Sequence, residues 1–375
     1  VVGALGIVGV ANVQFAHDPL SGRVVVLEVN PRFTRSSALV TAASGLPVAQ
    51  IATRLAVGLT LNESGQALGL KLADYEPNED RVAVRLPRFP FERLKGAADR
   101  LSTRMQSFGE ALGVGASFKE ALQKAVRALD SQPATLSGVG NSRTIDQCLE
   151  ELFEPSSTRL FTIYAALGLG ADVDELAAVS RIKPWFISQI KELVALEQAM
   201  RALRGQDLPA GLLAQAKQDG FSDTEIALML MVKEDEVRSR REGLGIKKSF
   251  RRLPFAQWCY ATYHKLTDAA PAPLPTSQGV MILGSGPARI GQGQECDYAC
   301  RHAARALETM GKTPIVVNCN PAACVGFVPM SRMYLEPLTA EDIRDIYLRE
   351  DPLGMIFQYG GHTTATVADI LAPEG

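Results

Sequence analysis

Residues 12–39, NVQFAHDPLSGRVVVLEVNPRFTRSSAL, decide the fold of the first part of the chain. The segments NVQFAH and RVVVLEV are rich in strand formers, and the turn DPLSGR between them contains a glycine, so the pattern predicts a β-hairpin. The apolar run in the second strand predicts that this strand is buried. The strand then ends in one carboxylate, one amide and two guanidinium groups, at Glu28, Asn30, Arg32 and Arg35. So much hydrogen-bonding capacity at a strand end is more typical of a site than of an ordinary surface.

The predicted hairpin brings a further side chain to this strand end. Gln14 lies on the first strand, and Glu28 and Asn30 are two positions apart, so their side chains leave the second strand on one face. One carboxylate and two amide oxygens form an all-oxygen set that suits Mg²⁺ or Mn²⁺, with phosphate oxygens and water completing the shell. Arg32 and Arg35 have the geometry to hold phosphate or carboxylate groups in a bidentate manner. The spacing fits a surface salt-bridge cluster equally well, and both interpretations stay open at this point.

The pattern of predicted elements divides the chain into three units and a linker, so the fold class is multidomain. Residues 1–132 alternate strand and helix patterns, which predicts an α+β unit, whereas residues 133–266 are nearly all helical. Residues 267–279, TDAAPAPLPTSQG, are rich in proline and alanine and predict a linker. From residue 280 to 375 strands alternate with helices, which predicts an α/β unit with a parallel, doubly wound sheet.

Capping patterns and one aromatic residue add local predictions. The segment SSALVTAASG predicts a helix that begins at its serines and ends at its glycine. Ser117 followed by Glu120 predicts a capping box, and Thr339 predicts the start of a helix in the last unit. Trp185 follows a proline at a predicted helix start, and we expect it to anchor the core.

Composition argues against several classes of function. Lys and Arg number 39 and Asp and Glu 41, a formal charge of −2, so no net field steers the chain onto nucleic acid or an anionic membrane. No stretch approaches the roughly 20 apolar residues of a membrane helix. The six cysteines form no C-x-x-C pair and the four histidines are scattered, which argues against a zinc site and suits a reducing, cytoplasmic compartment. We therefore expect no nucleic-acid partner and no membrane.

Two further motifs leave alternatives. The glycine-dense loop GSGPARIGQGQECDY (284–298) lies between a strand and a helix, where it would bind an anion or use glycine for close packing, and the spacing favours packing. The segment GFSDTEIALMLMVKEDEVRSRREGLG (220–245) imitates a helix-turn-helix whose second helix would present Arg238, Arg240 and Arg241. Acidic residues surround these arginines, so a packed helical bundle is favoured over nucleic-acid binding.

A resemblance to one known family rests on three blocks of sequence. The first block is NVQFA…GRVVVLEVNPRFTRSSAL…ASGLPVAQIATRLAVG, continued by RLPRFPFERLKGAADRLSTRMQSFGEALGVGASFKEALQKAVRAL. The second is IKPWFISQIKELVALE, and the third is ILGSGPARIGQGQECDYACRHAARALETMGKTPIVVNCNP with YLEPLTAEDI and IFQYGG. In this order they resemble the end of the first ATP-grasp domain, the helical oligomerisation domain and the pre-ATP-grasp opening of the second synthetase half in large subunits of the carbamoyl-phosphate synthase family. The resemblance covers nearly all 375 residues.

The resemblance implies an ATP-dependent ligase that feeds arginine and pyrimidine synthesis. In this family the first half phosphorylates bicarbonate to carboxyphosphate, and ammonia converts this to carbamate. The ammonia is released from glutamine by an amidotransferase small subunit, which would be a partner of this protein. The second half phosphorylates carbamate with a second ATP to give carbamoyl phosphate. A homo-oligomer in the cytoplasm is implied as well.

The same resemblance implies roles for individual residues. The implied metal ligands are Gln14, Glu28 and Asn30, and the first two would also lie near the ATP phosphates. Arg32 matches a catalytic arginine beside the reactive anion. Arg35 and Ser36 match positions close to the site.

The chain departs from the family pattern in its second half. The segment AACVGFVPMSR (322–332) replaces an acidic, Ser/Thr-rich segment, and QYGGHTT carries His362 where the family has glutamine. Both ends look cut, so we expect an internal segment that alone binds ATP weakly and does not catalyse. Two alternatives remain: a non-catalytic assembly module whose helical middle mediates oligomerisation, and a helix-turn-helix binder of nucleic acid.

Overall fold

A computed structural model gives the fold of the chain. It describes residues 1–77, 81–94, 96–129, 135–137, 143–253, 258–265, 278–320, 323 and 332–372. Within these ranges no helix combines the length and the apolar character that crossing a membrane requires. Most of the predicted linker (267–277) and of the departing segment 322–332 lies outside the described residues.

The predicted hairpin is confirmed, but its burial is not. Strands β1 (Asn12–His17) and β2 (Val24–Asn30) pair antiparallel across the turn. The prediction of a buried second strand is wrong, because most of β2 is exposed and Leu27 keeps 63% of its surface accessible. The two strands form a sheet of their own within the described part of the chain, and the apolar run therefore reports β-propensity rather than a core position.

Three helices follow the hairpin, and α1 begins one residue before the serines that were expected to cap it. They are α1 (Arg35–Ser44), α2 (Val48–Ala56) and α3 (Leu61–Gln66). Thr34 is the N-cap of α1, and the Ser37 side chain returns a bond to the Thr34 backbone N–H at 3.1 Å. The helix ends as predicted at Gly45, whose φ of 77° is a left-handed conformation that suits glycine.

A second two-stranded sheet and a helix complete the first unit. Strand β3 (Val82–Arg88) pairs antiparallel with β4 (Gly109–Gly115), and α4 (Phe118–Ala128) follows. Strand β4 was not predicted, because its run of glycine and alanine lacks the β-branched residues that mark a strand. Ser117 caps α4 as predicted, but the Glu120 carboxylate accepts bonds from Ala116 N and Thr262 Oγ1 (both 2.8 Å) instead of closing the capping box.

The middle of the chain folds into seven described helices. They are α5 (Ile145–Phe153), α6 (Arg159–Gly168), α7 (Val173–Ser180), α8 (Pro184–Arg201), α9 (Ala210–Gln218), α10 (Asp223–Leu230) and α11 (Glu234–Gly243). Their apolar faces share one core. Trp185 is not part of that core as expected: it is 55% exposed and lies against Phe118 and Phe186. Helical periodicity does not say which of two neighbouring aromatic residues faces inward.

The last unit is built on a six-stranded sheet in the order β10-β7-β8-β9-β6-β5. Its strands are β5 (Ser249–Arg252), β6 (Trp258–Thr262), β7 (Gly279–Leu283), β8 (Thr313–Val317), β9 (Arg332–Tyr334) and β10 (Met355–Ile356). Its helices are α12 (Gln294–Thr309), α13 (Ala340–Glu350) and α14 (His362–Leu371). All neighbouring pairs are parallel except β5 with β6, so the predicted parallel sheet is confirmed. Thr339 caps α13 as predicted, with its Oγ1 accepting from Asp342 N at 3.2 Å.

Strands β5 and β6 correct the all-helical prediction for residues 133–266. Strand β6 pairs parallel with β9, so this part of the chain joins the last sheet rather than the helical unit. Gly279, expected in the linker, opens β7. A core cluster around Trp258 and Tyr260 also includes Leu112 and Val114 of β4, so the first and last units pack directly on each other. Pairing and packing of this kind join distant segments, which local patterns do not reveal.

Candidate functional site

The register of the first hairpin brings the predicted metal ligands together. Gln14 pairs with Glu28, and Asn12 pairs with Asn30. The Glu28 carboxylate accepts two hydrogen bonds on its Oε1 atom, from Gln14 Nε2 at 2.7 Å and from Asn30 Nδ2 at 2.8 Å. Gln14, Glu28 and Asn30, which we call the hairpin trio, therefore form one connected polar group.

An irregularity in the strand pairing lies beside the trio. The register shifts between Gln14 and Phe15, because Phe15 pairs with Val26 and Leu27 is left over on β2. Such bulges are frequent next to functional sites, where they twist a strand and change the direction of its side chains. Here the shift follows immediately after the pair of Gln14 and Glu28.

The chemistry of the hairpin trio fits a hard divalent cation. Gln14 and Glu28 are exposed, so a ligand reaches them from solvent without any rearrangement of the core. The two amides donate their nitrogens to Glu28 Oε1, which leaves both amide oxygens and Glu28 Oε2 as acceptors. Across the described ranges, no three His, Cys, Asp or Glu side chains come close enough to hold a metal ion. A cation at this hairpin would therefore depend on amide oxygens and on phosphate or water, as Mg²⁺ and Mn²⁺ commonly do.

The predicted arginines follow the trio at the entrance to α1. Arg32 is exposed, and its Nη1 donates to Phe33 O at 3.3 Å. In residues 1–77, which are described without a gap, no hydrogen bond joins Arg32 to the trio. Arg35 is the first residue of α1 and is exposed, and Ser36 is the second and is half-buried. The positive end of the helix dipole and two guanidinium groups thus lie on one short segment, which favours anions.

Sequence analysis missed a buried carboxylate near this segment. Glu110 on β4 is only 7% exposed, and its Oε2 atom lies 3.3 Å from Arg85 Nη1 on β3. Burial raises the pKa of Glu110, and the charges of Arg85 and Arg35 oppose that rise. Arg85 Nη1 in turn lies 3.5 Å from Ser36 Oγ. The one clue in the sequence is a charged residue inside the small, apolar run GEALGVG.

The glycine-rich loop of the last unit uses several glycines for close packing. A Cβ atom on Gly284 would lie 2.4 Å from the Asn318 side chain, and one on Gly360 would lie 2.5 Å from Gly284 O. The loop is held from within, since Gln292 Nε2 donates to Ser285 O at 3.2 Å and to Gly360 O at 3.3 Å. The packing interpretation therefore accounts for these glycines without a bound anion.

The arginines of the helix-turn-helix imitation are all engaged. Arg238 pairs with Asp235 at 2.7 Å, and Arg240 Nη1 lies 3.2 Å from Asp207. Arg241 is buried, and its Nε donates to Asp223 at 3.0 Å. Nucleic-acid readers need free cationic side chains on one face, and this second helix does not provide them.

Comparison with protein-family models divides the chain into three matched segments. Residues 1–64 match the carbamoyl-phosphate synthase L chain ATP binding domain, and the hairpin trio and both arginines lie in this segment. Residues 110–245 match the carbamoyl-phosphate synthetase large chain oligomerisation domain. Residues 276–375 match the carbamoyl phosphate synthase preATP-grasp domain.

Comparison with curated proteins gives the same result over almost the whole chain. The carbamoyl phosphate synthase large chain of Haemophilus ducreyi is 40% identical over 379 residues, which cover 98% of this chain and 35% of that protein. The large chains of Xylella fastidiosa (42%) and Archaeoglobus fulgidus (39%) match with the same coverage. The chain thus spans about a third of the length of these relatives. Three domain models of one protein, matched in chain order, and identities near 40% lead to one conclusion: the chain belongs to the carbamoyl phosphate synthase large-chain family.

Proposed function

We propose that this chain works as part of a carbamoyl phosphate synthase large chain, an ATP-dependent ligase that joins bicarbonate and ammonia. The observation that carries the proposal is the hairpin trio, because three hard oxygen ligands meet on one hairpin within the segment that matches an ATP binding domain. The fold of residues 1–132 is proposed to be the C-terminal part of an ATP-grasp domain.

In this proposal the hairpin trio holds Mg²⁺ or Mn²⁺ together with the phosphates of ATP. The bound cation would supply positive charge to the phosphoryl group during its transfer to bicarbonate. Gln14 and Glu28 position the nucleotide phosphates, and Arg32 holds the reactive anion by charge-assisted hydrogen bonds. Arg35 and Ser36 border the same anion at the start of α1, where the helix dipole favours negative charge.

The proposal extends to the other units and partners. The helical unit would mediate self-association, in line with its match to an oligomerisation domain, and would end before β5 at residue 249. The boundaries near residue 132 and at a linker over 267–279 are kept, and the last unit would form the pre-ATP-grasp start of the carbamate half. Ammonia would come from a glutamine amidotransferase small subunit, in the cytoplasm, for arginine or pyrimidine synthesis. The 375-residue chain alone would bind ATP weakly and not catalyse, because the trio lies on an exposed hairpin.

The substitution Glu28→Gln in the full-length protein tests the proposal. It removes the charge that the cation needs but keeps the shape of the side chain, so we expect bicarbonate-dependent ATP hydrolysis to fall by more than about a hundredfold. Residues that merely touch a metal ligand already contribute roughly tenfold to a hundredfold. Binding of Mn²⁺ in the presence of ATP, followed by electron paramagnetic resonance, should weaken in parallel.

Glu76→Gln is the matched control, because Glu76 is an exposed carboxylate outside the hairpin. Full activity and unchanged Mn²⁺ binding in Glu28→Gln would refute the metal-site assignment. Absence of any bicarbonate-dependent ATP hydrolysis in the unmodified protein would instead favour the non-catalytic assembly module.

A further inference from the structure

The buried carboxylate of Glu110 lies between two strands and a helix that leads to the proposed anion site. Glu110 pairs with Pro87 and Arg85 pairs with Leu112, so both side chains leave the β3–β4 sheet on the same face. The 3.3 Å contact between Glu110 Oε2 and Arg85 Nη1 is therefore a diagonal cross-strand ion pair. Glu110 is nearly inaccessible, whereas the Arg85 side chain keeps about a third of its surface exposed.

The ion pair reaches the first turn of α1 through Arg85. Arg85 Nη1 lies 3.5 Å from the hydroxyl of Ser36, the residue that follows Arg35 in the helix. The positive charge of Arg35 is close enough to lower the pKa of Glu110 against the effect of burial. The far end of α1 is fixed separately, because Arg81 Nε donates to Ala42 O at 3.1 Å. Only the Glu110–Arg85 pair thus supports the end of α1 that carries Arg35.

Stability alone does not explain a glutamate at position 110. Its second carboxylate oxygen, Oε1, is buried and has no hydrogen-bond partner among the described residues. A buried ion pair with an unsatisfied oxygen is no more stable than well-packed apolar residues of similar volume. The neighbouring positions of β4, Ala111 and Leu112, are apolar and fully buried, so an apolar residue at position 110 would suit the strand.

We propose that Glu110 is a positioning residue for the anion-binding end of α1. Its carboxylate holds Arg85 against Ser36, and this contact fixes the first turn of the helix and the direction of the Arg35 guanidinium. The inference rests on the proposed function, since it assumes that Arg35 borders the bicarbonate-derived anion. It predicts that Glu110 affects the use of bicarbonate without touching any substrate.

The test compares Glu110→Gln with Glu110→Asp in the full-length protein. Loss of the charge in Glu110→Gln should free Arg85, so we expect kcat/KM for bicarbonate to fall by about tenfold to a hundredfold, mainly through a higher KM. The KM for ATP should stay within about twofold of the unmodified value, because the hairpin trio is not altered. Glu110→Asp keeps the charge on a shorter arm and should recover part of the loss.

The control is Glu154→Gln, which breaks an exposed ion pair between Glu154 and Arg100 (3.0 Å) and should leave all constants unchanged. Unchanged bicarbonate kinetics in Glu110→Gln would overturn the inference. Equal losses with bicarbonate and ATP, accompanied by a lower melting temperature, would also overturn it, because they would show a purely structural role. Arg85→Lys keeps the ion pair but loses the fork of the guanidinium, so it repeats the test if Glu110→Gln does not fold. Failure of the proposed function itself would appear separately, as full activity in Glu28→Gln.

Discussion

Two clusters of charged side chains in this molecule differ in almost every physical property. The hairpin trio is exposed, and its hydrogen bonds join residues that are 2 or 14 positions apart. The second cluster, which we call the buried network, lies where α9, α10, α11 and α13 meet. Its members are Lys217, Asp223, Arg241, Lys248, Glu341 and Asp342. It joins residues up to 124 positions apart, and Lys217 is completely inaccessible.

The buried network ties the helical unit to the last unit. Lys217 Nζ donates to Asp223 at 2.7 Å and to Glu341 at 2.8 Å, and the backbone N–H of Asp223 donates to Glu341 at 2.6 Å. Burial alone would raise the pKa of Glu341, but the charges of Lys217 and Lys248 outweigh it and lower the pKa well below its usual range. Every charge here depends on its partners, whereas water serves the trio. Accessible charges are therefore free for a ligand, and buried charges hold the units together.

The largest expected effect is the loss of the buried cation in Lys217→Met. It would leave the carboxylates of Asp223 and Glu341 without their shared partner in a site closed to water. Breaking a buried ion pair on one side typically lowers the free energy of unfolding by about 3–5 kcal/mol. We expect a loss of this size in urea denaturation followed by tryptophan fluorescence, since Trp258 lies in the last unit. Arg100→Met, which breaks an exposed pair, should lose less than about 1 kcal/mol, and an equal loss in both variants would contradict the distinction.

The next effect is a pH dependence that arises from Glu336. This residue is fully buried beside Lys124, whose Nζ lies 2.9 Å from Glu336 Oε1. Burial raises the pKa of Glu336 to about 7, although Lys124 acts in the opposite direction. The folded state thus holds a proton that the unfolded state releases near pH 4.5, so this stabilisation is complete below pH 4.5 and is lost as the pH rises through about 7.

Glu336→Gln removes this titration and provides the measurement. Between pH 4.5 and about 7, the unfolding free energy of the unmodified protein should fall relative to the variant by up to about 1.4 kcal/mol per pH unit. Melting temperatures measured over this range would show the two curves converging or crossing. Parallel curves would mean that Glu336 stays ionised in the folded protein. No such dependence is expected for the exposed Glu28.

The same contrast explains which features the sequence predicted. The hairpin was predictable because turn residues and strand formers are adjacent in the chain, and the pairing of Gln14 with Glu28 follows from the hairpin. The caps Ser117 and Thr339 were predictable for the same reason, since each acts within three residues. Local rules thus reached the candidate site as well as the main helices.

The features that sequence analysis missed all depend on distant contacts. Strand β4 consists of small residues, and only its pairing with β3 makes it a strand, so Glu110 went unnoticed. Strands β5 and β6 join the last sheet through β9, more than 70 residues later. The partners Lys217 and Glu341 stand in different units, and each alone resembles an ordinary surface residue. Burial of a charge is therefore the property that this sequence conceals most completely.

The smallest expected effect on stability is that of Glu28→Gln, the substitution for which the largest loss of activity is proposed. Glu28 is exposed, and water replaces the hydrogen bonds it exchanges with Gln14 and Asn30. We expect the free energy of unfolding to change by less than about 0.5 kcal/mol, as for most surface substitutions. Urea denaturation of the same preparation that is used for the activity assay measures this directly. A loss comparable to that of Lys217→Met would show that the trio supports the fold, and lost activity in Glu28→Gln would then no longer identify a metal site.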